Sequence, residues 1–350
     1  TVGHVAFSRR LEETAAGRSD LETRWFLLDP EPQGAVERLP PFSRIWTARA
    51  ALRTRRLLDR SVVSPDALFF HTVAPALLCR RWLRRVPSVI SLDATPANVD
   101  EIGAGYGHRV GPAPLEAAKT SLARAALADA AVVVAWSHWV RRSLVSDYGV
   151  RPDRIVVQPP GVPLERFPVP PHRTPDRVRL LFVGGDFARK GGPALLRAFE
   201  DLPARCELDV VTSADLPGSE RVRVHRGLTP DHPELLRLYA GADVFVLPTR
   251  ADTWGHAVVE AMASGLPVVT TAVGALPEMV TDGVEGLVVD PEDGRALTLA
   301  LRQLVGDPGL RSRLGAAARR KAEEEYDGRR NMGRIVDLVV EAAQRPMVRR

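Results

Sequence analysis

Ten short apolar runs, most of them rich in β-branched residues, recur along the chain and are separated by segments with helical periodicity. The runs are 67–70, 88–92, 131–135, 154–158, 178–183, 206–212, 222–225, 244–247, 267–271 and 286–289. Short buried strands that alternate with helices indicate βαβ units, which build parallel sheets covered by helices on both faces. Ten strands are too many for one doubly wound sheet of ordinary size, and 350 residues correspond to about two domains. The sequence therefore predicts an α/β protein with two Rossmann-like, doubly wound parallel-sheet domains and a cleft between them.

A proline-rich stretch interrupts this alternation. Residues 159–176 contain seven prolines, a composition that neither a helix interior nor a central strand tolerates. We place a linker at 166–176, an N-terminal domain over 1–165 and a C-terminal domain over 177–328. Residues 329–350 are predicted to form a helix, because apolar side chains recur there at helical spacing. These side chains are Met332, Ile335, Val336, Val339 and Val340.

The sequence indicates no membrane span, disulfide framework or metal site. The longest apolar-leaning stretch, 122–136, contains Arg124 and Asp129 and is too short to cross a bilayer. Cys79 and Cys206 are too few for a disulfide framework and wrongly spaced for zinc, so we expect a reducing, cytoplasmic setting. The eight histidines show no metal-ligand spacing, and we expect no catalytic metal.

An arginine-rich segment, residues 42–85, holds ten arginines against Asp59 and Asp66. Such an excess suits an anionic membrane surface, a nucleic acid or an acidic substrate, and equally a set of solvated helix faces. Trp46 and several leucines lie among the cations, which is compatible with a helix on an anionic membrane surface. The segment contains no aromatic–basic motif of an RNA-binding module, so we expect no nucleic acid as a partner. Peripheral membrane contact, contact with the acceptor and solvated helix faces stay open as interpretations.

The densest group of polar residues follows the predicted strand 244–247, in the sequence PTRADTWGHAVVEAMASG of residues 248–265. A helix is predicted to begin near Gly255 and to end at Gly265, where glycine is the usual residue for a left-handed turn. The backbone N–H groups at such a helix start, with the positive end of the helix dipole, suit a phosphate. Asp252 and Glu260, with seven residues between them, supply a carboxylate on each side that can accept sugar hydroxyls.

A second group follows the predicted strand 178–183. The strand ends in the pair Gly184-Gly185, and a second glycine pair at 191–192 opens the next helix, with Arg189 and Lys190 between the pairs. Glycines let a ligand approach the backbone closely, and two cations beside a helix start suit a diphosphate. The spacing differs from the common GxxxxGK[ST] phosphate loop. A further glycine series at 103, 105 and 107 follows a polar stretch without a strand pattern, so it does not indicate a dinucleotide site.

Together these motifs resemble the retaining glycosyltransferases of family 4, which have the GT-B fold of two Rossmann-like domains. The resemblance covers most of the chain. It rests on Val183-Gly184 with Lys190-Gly191, the carboxylates flanking Trp254-Gly255, residues 260–268, 274–278 and 282–286, and, in the first half, residues 91–96, 137–144 and 159–167.

The resemblance implies a role for each matching residue. Lys190 would contact the diphosphate of a nucleotide-sugar donor, and Glu260 would hold its ribose hydroxyls. The transferred sugar and the distal phosphate would be held by Asp252, Trp254, Gly255, His256 and Ala257.

Two positions depart from the family's commonest pattern. The first acid is usually glutamate, and Asp252 is one methylene shorter. The arginine that usually follows the first glycine, Gly184, is replaced by Gly185, so we expect Arg189 to supply that charge and both glycines to border the donor. Gly3 resembles the remnant of an N-terminal glycine loop facing the donor, with the preceding strand absent or reduced to residues 1–2.

The resemblance also implies a mechanism that retains the anomeric configuration by attack on the same face. The leaving phosphate would take the acceptor's proton, so no protein nucleophile is assigned. Lys190 and Arg189 are the expected catalytic residues, because they face the charge that develops on the leaving diphosphate. Asp93 follows the predicted strand 88–92 at the edge where open α/β sheets bind ligands, and we expect it to contact the acceptor or the transferred sugar. The alternative for Asp93 is a structural cap on the following turn.

The expected co-substrates are a UDP- or GDP-linked sugar and an acceptor hydroxyl, with no further cofactor. The helix at 329–350 resembles the family's helix that returns to the N-terminal domain. With the linker it would make two crossings, about which the domains would close on the donor. Two alternative functions are another GT-B activity, such as an epimerase or a phosphorylase, and a basic nucleic-acid-binding protein.

Overall fold

All ten predicted strands are present in the computed structural model, each within one residue of its predicted bounds. The structure describes residues 2–29, 31–33, 36–39, 45–108, 110–169 and 177–344. The strands are β1 (Leu68–His71), β2 (Ser88–Leu92), β3 (Val132–Ala135), β4 (Ile155–Val157), β5 (Val178–Val183), β6 (Cys206–Val211), β7 (Val222–His225), β8 (Val244–Leu247), β9 (Val268–Thr271) and β10 (Gly286–Val289). Every residue of β2, β3, β6, β8 and β9 is buried, as expected for strands covered on both faces.

The strands form two parallel sheets. One has four strands in the order β1-β2-β3-β4, and the other has six in the order β10-β9-β8-β5-β6-β7. In the larger sheet the chain runs outward from β5 through β6 to β7, returns to β8 on the other side of β5, and continues to β10. The point where the order reverses lies between β5 and β8, and open α/β sheets bind ligands outside the carboxyl ends of such a pair.

Helices connect the strands, as the alternation predicts. They are α1 (Val2–Ala16), α2 (Trp46–Asp59), α3 (Arg80–Leu83), α4 (Pro96–Ile102), α5 (Ala113–Asp129), α6 (His138–Ser146), α7 (Gly192–Glu200), α8 (Pro233–Gly241), α9 (His256–Ala263), α10 (Leu276–Met279), α11 (Gly294–Gly306), α12 (Pro308–Glu325) and α13 (Gly328–Gln344). None of the helices in the described part of the chain combines the length and the apolarity that crossing a membrane requires.

The described residues divide into two compact units. Unit N holds the smaller sheet and contains Phe7–Val99, 110–159 and 332–344, and unit C holds the larger sheet and contains 2–6, Asp100–His108 and Pro160–Asn331. Along the described chain the unit therefore changes after residues 6, 99, 108 and 159, and again after 331, within α13. Much of the linker predicted at 166–176 lies outside the described residues.

Helix α13 contributes most of its apolar side chains to the core of unit N. Met332, Ile335, Val336, Leu338 and Ala342 are at most 5% exposed. The predicted stripe is confirmed at its first three positions. Its last two, Val339 and Val340, are half-buried, because Leu338 and Ala342 take the inward positions of the later turns.

The segments near the two ends of the 160–331 stretch, residues 161–162 and 326–328, lie side by side within unit C. The Val162 N–H donates to the carbonyl of Tyr326, and the Gly328 N–H donates to the carbonyl of Val162, both at 2.9 Å. A β-carbon on Gly161 would lie 2.3 Å from the Tyr326 carbonyl oxygen. Only glycine allows this approach, so the two segments are held together by backbone contacts.

Several arginines of the arginine-rich segment form ion pairs with carboxylates, which reduces the segment's unpaired positive charge. Arg53 of α2 is buried in an ion pair with Glu37, which lies outside the segment. Asp129 of α5 accepts from Arg80 (2.8 Å) and Arg84 (3.1 Å). Part of the local excess is therefore matched by carboxylates elsewhere in unit N, and peripheral membrane contact stays a prediction.

Candidate functional site

The loops that follow β5 and β8 lie at the carboxyl edge of the larger sheet, where its strand order reverses. Residues 184–191 connect β5 to α7, and residues 248–255 connect β8 to α9. Because β5 and β8 are hydrogen-bonded neighbours, the two polar groups found in the sequence meet at one place.

Backbone hydrogen bonds join the two loops. The Arg250 N–H donates to the Arg189 carbonyl (2.9 Å), and the Thr249 hydroxyl donates to the carbonyls of Ala251 (3.0 Å) and Arg189 (3.3 Å). Gly191 has a φ of +82°, and a β-carbon there would lie 1.8 Å from the carbonyl oxygen of Pro248. The loops are thus held in one mutual arrangement, which fixes the positions of the charged side chains that they carry.

Lys190 and Asp252, which the sequence analysis assigned to separate parts of a ligand, form a direct ion pair. The Lys190 side chain is 15% exposed and that of Asp252 is 6% exposed. A charge-assisted contact so shielded from water is stronger than an exposed one and orients both groups. Gly184 permits this position of Lys190, since a β-carbon on Gly184 would crowd the lysine Cβ and Cγ at 3.0 Å.

Arg189 lies beside this pair. Its Nη1 donates to the Ala251 carbonyl (2.6 Å), and its Nε donates to Asp186 (3.2 Å). Next to it, Gly185 is exposed, and a β-carbon there would meet nothing within 4 Å. Two neighbouring cations are thus held on the loop that carries the exposed Gly185, and such a pair suits a diphosphate.

Helix α9 begins at His256 with Gly255 as its N-cap, as predicted, and no side chain caps it. A helix start of this kind suits an anion. Of the three backbone N–H groups predicted to serve a phosphate, that of His256 already donates to the Trp254 carbonyl (3.1 Å). Ala257 follows in the first turn, and Gly265 ends the helix with a φ of +72°, as expected.

Trp254 is 6% exposed and packs edge to face against Tyr326, with ring centroids 6.0 Å apart. Its burial gives the indole a packing role at the base of the β8–α9 loop. A contact between Trp254 and a ligand stays a prediction.

Glu260 is buried on α9, where a carboxylate needs a partner. The Tyr239 hydroxyl, on α8, donates to Glu260 Oε2 at 2.8 Å. Burial and the neighbouring Glu260 raise the pKa of Tyr239 well above its ordinary value, so the phenol stays protonated and donates at any physiological pH. Tyr239 is not among the residues predicted from the sequence. Its only sequence signal is its place four residues after Leu235 on the apolar face of α8.

Replacing Tyr239 by phenylalanine is expected to destabilise the protein by about 1–3 kcal/mol, because the buried Glu260 loses a hydrogen-bond donor. Urea denaturation measures this loss. Tyr148→Phe is the matched control, because it removes a buried phenol hydroxyl in unit N, where that hydroxyl accepts from the Ala97 N–H. Equal stability of Tyr239→Phe and wild type would show that Glu260 does not depend on the phenol.

Two predicted site residues belong to neither of these two loops. Gly3 lies in the first turn of α1, so the glycine loop expected there is replaced by a helix. Asp93 directly follows β2 at the carboxyl edge of the smaller sheet, in unit N, and is 8% exposed. The turn after it is fixed by Thr95, whose hydroxyl accepts from the Asn98 N–H (3.1 Å) and contacts the Ser143 hydroxyl (2.7 Å). Both roles predicted for Asp93, a ligand contact and a cap on that turn, stay predictions.

Within the described residues, no group of three or more His, Cys, Asp or Glu side chains is arranged to hold a metal ion. Cys79 and Cys206 are buried free thiols.

Both halves of the chain match known protein families. Residues 177–307 match the family described as "Glycosyl transferases group 1", and residues 14–166 match "Glycosyltransferase Family 4".

Among curated proteins, the chain is 31% identical over 337 residues to a GDP-mannose-dependent alpha-(1-6)-phosphatidylinositol monomannoside mannosyltransferase of Mycolicibacterium smegmatis, covering 87% of this chain and 83% of that protein. It is 35% identical over 263 residues to a D-inositol 3-phosphate glycosyltransferase of Geodermatophilus obscurus, covering 67% of this chain and 56% of that protein. The chain thus spans little more than half the length of this second relative.

Two solved structures share the fold. A sucrose-phosphate synthase from Thermosynechococcus elongatus is 19% identical, with a TM-score of 0.71 over 86% of this chain and 81% of that one. WaaG, a glycosyltransferase involved in lipopolysaccharide biosynthesis, is 18% identical, with a TM-score of 0.68 over 96% of each chain.

Proposed function

The chain belongs to glycosyltransferase family 4 and is a glycosyltransferase with the GT-B fold, and from this premise we propose that it moves a hexosyl group from a nucleotide-sugar donor to an acceptor hydroxyl with retention of the anomeric configuration. Family membership excludes the alternative of a non-catalytic nucleic-acid-binding protein. The observation that carries the proposal is the group of Lys190, Arg189 and the uncapped start of α9 at the switch point of the larger sheet.

These groups suit the departure of a nucleoside diphosphate. When the bond between the sugar's anomeric carbon and the phosphate oxygen breaks, its electron pair goes to that oxygen, and negative charge builds on the diphosphate. Lys190 and Arg189 are held in place before the reaction, so their charges stabilise the leaving group without costly rearrangement. We propose that Asp252 holds Lys190 in position in the free protein and accepts a sugar hydroxyl when the donor binds.

The retaining step needs no protein nucleophile. The acceptor hydroxyl oxygen forms the new bond to the anomeric carbon on the face from which the phosphate departs. Its proton passes to the departing phosphate oxygen, so the charges balance and the configuration is kept. Glu260, held by Tyr239, is the proposed partner of the ribose hydroxyls, and Asp93 in unit N is the proposed contact for the acceptor.

A GDP-linked hexose is the first donor to test. The Mycolicibacterium smegmatis relative, whose match covers 87% of this chain, is named as GDP-mannose-dependent. Two relatives carry acceptor names that contain an inositol or inositol phosphate group. We therefore propose an acceptor of this class, with a UDP-linked sugar as the second donor candidate.

Thermal unfolding in the presence of GDP, UDP, ADP and dTDP tests the proposal. A ligand that binds the folded state raises its apparent stability by about 2.7 kcal/mol at a hundredfold excess over Kd. We expect one nucleoside diphosphate to raise Tm strongly and the Glu260→Ala variant to lose this rise. Absence of any rise with all four nucleotides would contradict the assignment of a nucleotide-sugar site.

A further inference from the structure

The segment Asp100–His108, called here the 100–108 turn, belongs to unit C by its contacts. The strands that precede and follow it in sequence, β2 and β3, both belong to unit N. A segment from the first half of the chain thus packs on the unit that carries the candidate diphosphate site.

Local hydrogen bonds give the 100–108 turn a defined shape. Its last residues close on its first: the His108 N–H donates to the Gly103 carbonyl (2.9 Å), and the His108 ring contacts Asp100 (2.8 Å). Gly107 has a φ of +66°, a conformation that glycine adopts at low cost. The turn therefore presents Gly105 and Tyr106 in a fixed orientation.

Gly105 brings the turn against the β8–α9 loop. A β-carbon on Gly105 would lie 2.5 Å from the Ala251 β-carbon and 2.9 Å from the Arg250 carbonyl oxygen. The loop approached in this way is the one that carries Asp252. The glycine series that lacked an interpretation in the sequence thereby has a reason: Gly105 permits the close approach, and Gly107 permits the turn.

Tyr106 makes the contact of most chemical interest. The Arg189 guanidinium carbon lies 4.6 Å from the centre of the Tyr106 ring, within the range of a cation–π interaction. The Tyr106 hydroxyl hydrogen-bonds to Thr253. Burial and the nearby Asp252 raise the pKa of this phenol above its ordinary value of 10.

Arg189 is consequently held on three sides. Its guanidinium is fixed by the Ala251 carbonyl, by Asp186 and by the face of the Tyr106 ring. The Arg189 side chain is only 17% exposed, whereas Asp186 is 53% exposed. The guanidinium side of the ring contact is therefore partly shielded from water, and such shielding strengthens a cation–π interaction.

We propose that Tyr106 is a positioning residue of the donor site, whose ring holds the Arg189 guanidinium beside Lys190, where the leaving diphosphate gains charge. The proposal rests on the function proposed for this site. Tyr106 is 41% exposed, so a role confined to core packing does not explain its position over the arginine.

Calorimetric binding of GDP and UDP, each compared with its monophosphate, tests this role. Tyr106→Leu is expected to weaken binding of the preferred diphosphate by about tenfold, the upper part of the cation–π range, and to change monophosphate binding little. Tyr106→Phe keeps the ring and is expected to restore diphosphate binding. Phe26→Leu, an exposed aromatic residue of unit N, is the matched control.

An Arg189→Ala background completes the experiment. If the ring acts through the guanidinium, Tyr106→Leu has no further effect on diphosphate affinity once Arg189 is alanine. Additive losses, or equal losses for diphosphate and monophosphate, would overturn the positioning role. A wild-type protein that binds none of these nucleotides would instead contradict the proposed function itself, so the two failures are distinguishable.

Discussion

Lys190→Ala is expected to lower kcat by about 10²- to 10³-fold, the cost of losing one preorganised electrostatic contact to a developing negative charge. The effect should appear in kcat more than in KM, because the charge on the diphosphate is greatest in the transition state. Steady-state transfer from the nucleotide sugar that gives the largest thermal shift measures both constants. Lys119→Ala is the matched control, since Lys119 pairs with Glu116 in unit N.

A second variant separates two consequences of this substitution. Removing Lys190 alone leaves the Asp252 carboxylate buried without its cation, which by itself destabilises the protein. Lys190→Ala combined with Asp252→Asn removes both charges and should recover stability while leaving kcat low. Recovery of kcat in the double variant would mean that Lys190 serves only to neutralise Asp252.

Gly191→Ala is expected to destabilise the protein by about 2–5 kcal/mol. An alanine at a φ of +82° costs about 1–2 kcal/mol, and its β-carbon would lie 1.8 Å from the Pro248 carbonyl oxygen, so the two loops must move apart. Since these loops carry Lys190 and Asp252, catalytic activity should fall as well. Urea denaturation and transfer assays measure the two effects.

Two other glycines provide controls for Gly191. A β-carbon on Gly227, with a φ of +72°, would meet nothing within 4 Å, so Gly227→Ala measures backbone strain without a clash. Gly185 has neither the positive φ nor a neighbour within 4 Å, and Gly185→Ala should change stability by less than about 0.5 kcal/mol. A Gly191→Ala variant no less stable than Gly227→Ala would show that the contact with Pro248 is unimportant.

The strands and the helix start at Gly255 could be predicted because each depends on local pattern. Apolar β-branched runs between helical segments leave few alternatives to a parallel sheet, and glycine before a helical segment marks its start. The pairing of Lys190 with Asp252 could not be predicted, because it depends on the order of strands in the sheet, which brings together loops 62 residues apart. Tyr239 was missed for the same reason: the docking of α8 on α9 makes it the partner of Glu260.

The glycine loop expected at Gly3 is a helix instead, for a different reason. The resemblance to family 4 predicted a glycine loop, but the residues after Gly3 continue without a break as a helix to Ala16. A motif carried over by similarity fixes the residue type and not the backbone conformation around it.

Unit N is built from stretches near both ends of the described chain, and this affects the order in which the two units can fold during synthesis. The ribosome synthesises the four strands of the smaller sheet first, then nearly all of unit C, and only afterwards the part of α13 that belongs to unit N. Until then, the apolar surface that receives Met332, Ile335 and Val336 is exposed to water. The first unit to begin folding during translation is therefore the last to be completed, and the nascent chain must keep an unfinished core from aggregating while the rest of the protein emerges.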